Sequence, residues 1–244
     1  MELIQENKNI VTKKRTALYC FSPPVMLATF VVEVSLIAYT LWRYKLNTIS
    51  KIATSILGFL AIFQLSEYMV CGGTGIFGDY WARLGFISIT MLPPLGIHLA
   101  TEIAGKKQQY LAWISYGAAL IFVAYFLLIS NAIEHEACGG NYVIFNLTQS
   151  VSWLYGLYYY GLLLTGIVYC LLQSSKSNIK KVKKSLRAFA TGYILFLLPT
   201  ATINLIDPST TRAIPSIMCG FAVILAFVIV FLVLPNTTDF RKTK

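Results

Sequence analysis

The chain has 244 residues, 57% hydrophobic and 12% charged, with a formal net charge of +10. Soluble domains carry about 25% charged residues, and disordered chains are poor in aromatics, whereas this chain has 15 Phe and 15 Tyr. Its apolar residues come in long blocks, which excludes both classes and points to a polytopic membrane protein.

A bilayer core about 30 Å thick requires roughly 20 apolar residues per spanning helix. Seven blocks meet that length, at 21–43, 50–71, 82–104, 109–130, 150–173, 186–206 and 212–234. The expected fold is therefore an all-α, seven-transmembrane-helix bundle. It forms one membrane domain over 21–234, with a basic N-terminal tail at 1–20 and a C-terminal tail at 235–244. Period-two alternation is absent, which argues against a β-barrel. The first block is too long for a signal-peptide core and is read as retained. Pro23-Pro24 opens the first span, where missing amides do no harm. Pro93-Pro94 and Pro199 fall near the middle of the third and sixth spans. Each frees backbone carbonyls, either as a fixed packing kink or as a bend that opens a cavity. The longer connections, 71–80 and 131–149, each contain Cys-Gly-Gly.

Lys and Arg set the expected orientation. Fourteen fall on one side (Arg43, Lys45, Lys51, Lys106, Lys107, Lys176, Lys180, Lys181, Lys183, Lys184, Arg187, Arg241, Lys242, Lys244) and six on the other. The positive-inside rule then places the N-terminus outside and the C-terminus in the cytoplasm, although the basic tail at 8–15 votes the other way. The chain is expected in a bacterial inner membrane or a plasma membrane, its basic residues facing anionic headgroups. The run SNIKKVKKSLR has no interleaved aromatics, so nucleic acid is not an expected partner.

Charges inside hydrocarbon cost roughly 2.5–3.5 kcal/mol on insertion scales and default to functional candidates. Glu33 sits at the centre of the first span. Gln64, Glu67 and Cys71 share one face of the second at i, i+3, i+7 spacing. Asn204 and Asp207 end the sixth span, and Tyr155 and Tyr159 belong to an aromatic crowd in the outer half of the fifth. These depths predict an outward-facing polar pocket with Glu33 deepest, holding a proton, a cation or a small molecule. The competing reading is interhelical gluing, with each carboxyl paired to an amide or hydroxyl. His98 is a further ligand or proton candidate, though a lone histidine on an apolar face is more often a hydrogen-bonded packing residue. Glu102 is expected to pair with Lys106, its i+4 neighbour. His135 lies in the run EHEAC, whose spacing fits no zinc pattern.

Five cysteines leave an odd count. A Cys71–Cys138 disulfide would staple the two long outer connections in an oxidising compartment, but spacing alone does not give the connectivity. Asn146-Leu147-Thr148 fits a glycosylation sequon. No cofactor is expected; a retinal protein would need a Schiff-base lysine in the seventh span, and 212–234 has none.

Cys20-Phe21-Ser22 at the first span and Gln64-Leu65-Ser66-Glu67 in the second resemble an uncharacterised group of bacterial seven-helix membrane proteins. Members of that group begin Met-Cys-Phe-Ser and carry Gln-x-x-Glu in helix two. This chain departs from the pattern with nineteen residues before the Cys. The resemblance implies a seven-helix fold and marks those positions without implying an activity. WARLGFISITMLPPLGIHLA also looks like the third helix of the seven-helix sensor regions of histidine kinases, which implies a sensory role. The expected function is a receptor-like or small-ligand-binding membrane protein. The alternatives are a proton- or cation-coupled small-solute transporter and, with no nucleophile–base pair or metal triad in view, an intramembrane enzyme.

Overall fold

The computed structural model describes residues 23–71, 78–105, 108–129, 132–138, 143–147, 149–206 and 214–240. Within these, the side chains of 134–138, 143–146, 149–150, 204, 215 and 219 lie outside the description. In hydrocarbon every backbone polar group must be satisfied within its own segment, and the apolar blocks accordingly form helices. They are α1 (Pro23–Arg43), α2 (Thr48–Cys71), α3 (Gly78–Ile103), α4 (Tyr110–Leu128), α5 (Gln149–Lys176), α6 (Lys180–Ile206) and α7 (Ile214–Val228). A π-helical turn over Ile229–Val233 and a short α8 (Leu234–Thr237) extend α7. Seven of these helical stretches are long and apolar enough to cross a bilayer, so the chain folds as the expected seven-helix membrane bundle.

The connection read from sequence as a long loop contains an antiparallel hairpin instead. Strand β1 (Ile133–Cys138) pairs with β2 (Val143–Leu147) from Ile133↔Leu147 to Cys138↔Val143, with an irregularity between Ile133 and His135. The hairpin rests on α2 and α3. Helix α6 also begins earlier than its apolar block, at Lys180, because lysines can end a hydrophobic window without ending the helix that carries them out of the membrane.

Helix α3 is the hub, packing against α2, α4, α5 and α6, while α7 closes the ring onto α6, α1 and α2. Helix α4 stays at the periphery, apolar on all sides, with Trp113, Ile114, Leu120, Ile121 and Leu128 exposed where lipid would lie.

The proline kink of α3 is filled. Pro94 offers no amide to the Thr90 carbonyl, and the Tyr158 hydroxyl of α5 donates to that carbonyl at 2.6 Å. Thr90 Oγ1 also lies 3.1 Å from the Tyr155 hydroxyl. The carbonyl that Pro94 frees is thus capped by a side chain from α5. Just beyond it, Gly96 leaves room for the tip of Tyr193 from α6. A Cβ at Gly96 would overlap the Tyr193 hydroxyl and lie 2.8 Å from its Cζ.

The opposite end of the bundle is clasped. The π turn ends two residues before Pro235, and its Val230 carbonyl accepts the Tyr44 hydroxyl at 3.0 Å. Burial pushes the Tyr44 phenol above its ordinary pKa, aided by neighbouring Tyr39, so it stays a neutral donor. Tyr44 forms a bridge with Phe240 and stacks on its ring. The Lys45 amide donates to the Asp239 carbonyl at 2.9 Å, and Asn47 meets Thr238 at 3.3 Å. The exposed Lys45–Asp239 ion pair, at 3.7 Å, adds little by itself.

Candidate functional site: the carboxyls of helices α1 and α2

Helix α1 is mostly lipid-facing, and its buried residues are Met26, Glu33, Leu36 and Thr40. Glu33 is 0% exposed, and neither carboxyl oxygen has a hydrogen-bond partner. It lies ten residues into α1, or about 15 Å along the axis. On α2, Gln64 and Glu67 are buried on one face as their i, i+3 spacing predicts. Glu67 Oε1 and Gln64 Nε2 are also unpartnered. Glu67 takes a side-chain hydrogen bond from Ser216 at the start of α7. The two carboxyls are near enough to interact electrostatically.

The α1–α2–α7 interface thus gathers three carboxyl oxygens and one amide nitrogen with nothing to bond to. Buried polar groups are paired in the great majority of cases, and each orphan costs about 1–3 kcal/mol. The Ser216–Glu67 bond is a contact of the gluing kind. Ser216 carried no signal in the sequence, since a single serine near the end of an apolar block is unremarkable. The buried hydroxyls of Thr40 on α1 and Thr200 on α6 are unpartnered too.

The remaining candidates occupy other interfaces. Tyr155 belongs to an aromatic cluster with Phe86 and Phe126. Tyr159 lines a narrow apolar void with Leu60, Leu92, Phe189 and Tyr193, with room for about one water molecule. His98 joins α3 to α4, its Nδ1 3.1 Å from the Tyr116 hydroxyl and its Nε2 3.7 Å from Glu102. Glu102 thus faces His98; Lys106 lies outside the described residues. Asp207 also lies outside them, as does the side chain of Asn204.

Cys71 is disulfide-bonded. Cys138 sits on β1 but its side chain is not described, and Cys170 is free and buried. The EHEAC side chains and the 71–73 and 138–140 turns fall largely outside the described residues. Among the described residues, no group of three His, Cys, Asp or Glu could hold a metal ion. Comparison with protein-family models and with curated proteins returns no match.

Proposed function

We propose that this membrane protein binds a small positively charged species at Glu33, Gln64 and Glu67, as a receptor-like ligand-binding bundle. The carrying observation is the set of three orphaned carboxyl oxygens on Glu33 and Glu67, side chains no more than 1% exposed. An ionised carboxylate in an apolar interior is costly without a counter-charge, so a proton, a metal cation or a small ammonium ion suits this pair. Such enclosure favours an occupant of that size over a larger organic ligand. The proposed orientation puts Glu67 near the outer face. It follows from the uneven Lys and Arg and agrees with the disulfide at Cys71, since disulfides persist in oxidising compartments. A bacterial inner membrane or a plasma membrane suits both.

The test is thermal unfolding in lipid nanodiscs against a background of N-methyl-D-glucamine, with Na⁺, Ca²⁺, methylammonium and pH varied in turn. A cation at one hundred times its Kd stabilises by about 2.7 kcal/mol. At about 2–4 °C per kcal/mol for a chain of this size, the midpoint rises by about 5–11 °C. Glu33→Gln and Glu67→Gln abolish that rise, whereas His98→Gln keeps it. A wild-type midpoint indifferent to every cation and to pH overturns the reading, as does an undiminished response in both carboxyl variants.

A further inference from the structure

Glu33 and Glu67 are 0% and 1% exposed, so nothing reaches them unless a helix moves. Two of the three helices around them are held by their neighbours. Helix α2 stands so close to α3 that a Cβ at Gly85 would lie 3.3 Å from the Ser66 Cβ. Helix α7 closes on α6 until a Cβ at Gly192 would lie 2.9 Å from Leu225 and 3.0 Å from Val228. Small residues permit such approaches between membrane helices, and α1 contains no glycine.

Helix α1 is fastened at one end only. Among the described residues, its side chains make no hydrogen bond to another helix. Thr29 donates to the Met26 carbonyl and Ser35 to the Val31 carbonyl, both within α1. From Tyr39 onward the fastenings crowd together. The Tyr39 ring packs on Phe231 at 5.5 Å, the Arg43 guanidinium lies 4.4 Å over Phe240, and the Tyr44 hydroxyl bonds the Val230 carbonyl. Ahead of Tyr39, the buried residues of α1 are Met26, Glu33 and Leu36. Lipid tails are as apolar as Met and Leu, so packing those two against the bundle gains little over the bilayer. Closing Glu33 against α2 leaves both its oxygens unbonded, a cost that a cation beside them offsets.

We propose that α1 is the gate of the carboxyl site, a lever that swings about the Tyr44 clasp to admit a small cation and closes over it. The inference rests on the cation-binding reading and adds how the site fills. Glu33 lies about 16.5 Å along the helix from Tyr44, and Leu27 about 25 Å. Parting Glu33 from Glu67 by about 3 Å, the width of one water, turns α1 by about 10° and carries Leu27 by about 5 Å. Trp42, two residues from the pivot, moves less than about 1 Å.

The experiment is double electron–electron resonance on the full chain in nanodiscs. Spin labels are attached through p-acetylphenylalanine, which leaves the native cysteines alone, at exposed Leu27 of α1 and Leu84 of α3, and in a second sample at Trp42 and Leu84. Spectra are taken in N-methyl-D-glucamine buffer, then with Na⁺, Ca²⁺ or methylammonium added in turn. The cation that raises the unfolding midpoint should shorten the Leu27–Leu84 distance by about 3–5 Å and hold Trp42–Leu84 within about 1 Å. Glu33→Leu, with no carboxyl to satisfy, should keep the short distance with and without cation. A cation that raises the midpoint while the Leu27–Leu84 distance stays fixed overturns the gate and leaves the binding reading standing. An equal shift at Trp42, or a cation response kept in Glu33→Leu, overturns the lever. No rise in midpoint and no shift with any of the three cations overturns both.

Discussion

Replacing Glu33 by Leu distinguishes a working carboxyl from a structural one. A structural carboxyl contributes hydrogen bonds that the substitution removes. Glu33 makes none, with both oxygens unpartnered at 0% exposure. Its neighbours along the inward stripe include Met26 and Leu36, so an apolar side chain of similar size suits the position. What disappears is the penalty of an unsatisfied buried polar group, about 1–3 kcal/mol, together with its interaction with Glu67. In cation-free buffer Glu33→Leu should therefore stabilise the protein and raise the unfolding midpoint by about 2–12 °C, at about 2–4 °C per kcal/mol. Intrinsic tryptophan fluorescence during a thermal ramp in nanodiscs reads this directly. Adding the bound cation should narrow the difference, because only the wild type gains from it. A lower midpoint for Glu33→Leu in cation-free buffer would mean that the carboxyl holds helices together, and the reasoning behind the site would collapse.

Two further substitutions probe the frame around the site. Gly96→Ala drives a methyl into the tip of Tyr193 and should cost about 1–3 kcal/mol, as overpacking does. Tyr193→Phe in the same chain should recover part of that loss, since Cζ remains 2.8 Å away, and an unchanged midpoint for Gly96→Ala alone counts against this close approach. Tyr158→Phe should cost about 1–3 kcal/mol by orphaning the Thr90 carbonyl. In a Pro94→Ala background, which restores a helical amide, the same change should be nearly free; a double-mutant cycle without coupling would show that the hydroxyl does not serve the kink.

Much of the bundle was legible because hydrocarbon thickness fixes span length. The start of α1 at Pro23 and the end of α2 at Cys71 fall within two residues of their apolar blocks. What escaped has a physical cause in each case. The π turn is met by the Tyr44 hydroxyl from a segment 186 residues away, and no local periodicity encodes that. The hairpin at 133–147 pairs segments that read individually as loop. Glu33 and the Gln64–Glu67 face stood out because charge is rare in apolar blocks. The tyrosines of α5 stood out equally, but Tyr158 caps the carbonyl that Pro94 leaves free. Polarity in a membrane span marks either a site or a repair of the backbone, and only the partner distinguishes them. Thr40 is the reverse case, ordinary in sequence and conspicuous only because its hydroxyl goes unused.

The clasp between Tyr44 and the π turn joins residues 186 positions apart. With synthesis at about 5–20 residues per second, α1 waits about 10–40 s after leaving the ribosome before its last partner exists. Throughout that interval Glu33 and Thr40 have no α7 beside them, and Glu67 has no Ser216. Helix α1 must therefore enter the bilayer carrying a carboxyl that its final neighbour has yet to enclose. The cost of Glu33 in hydrocarbon is thus met at insertion, before the rest of the fold can offset it.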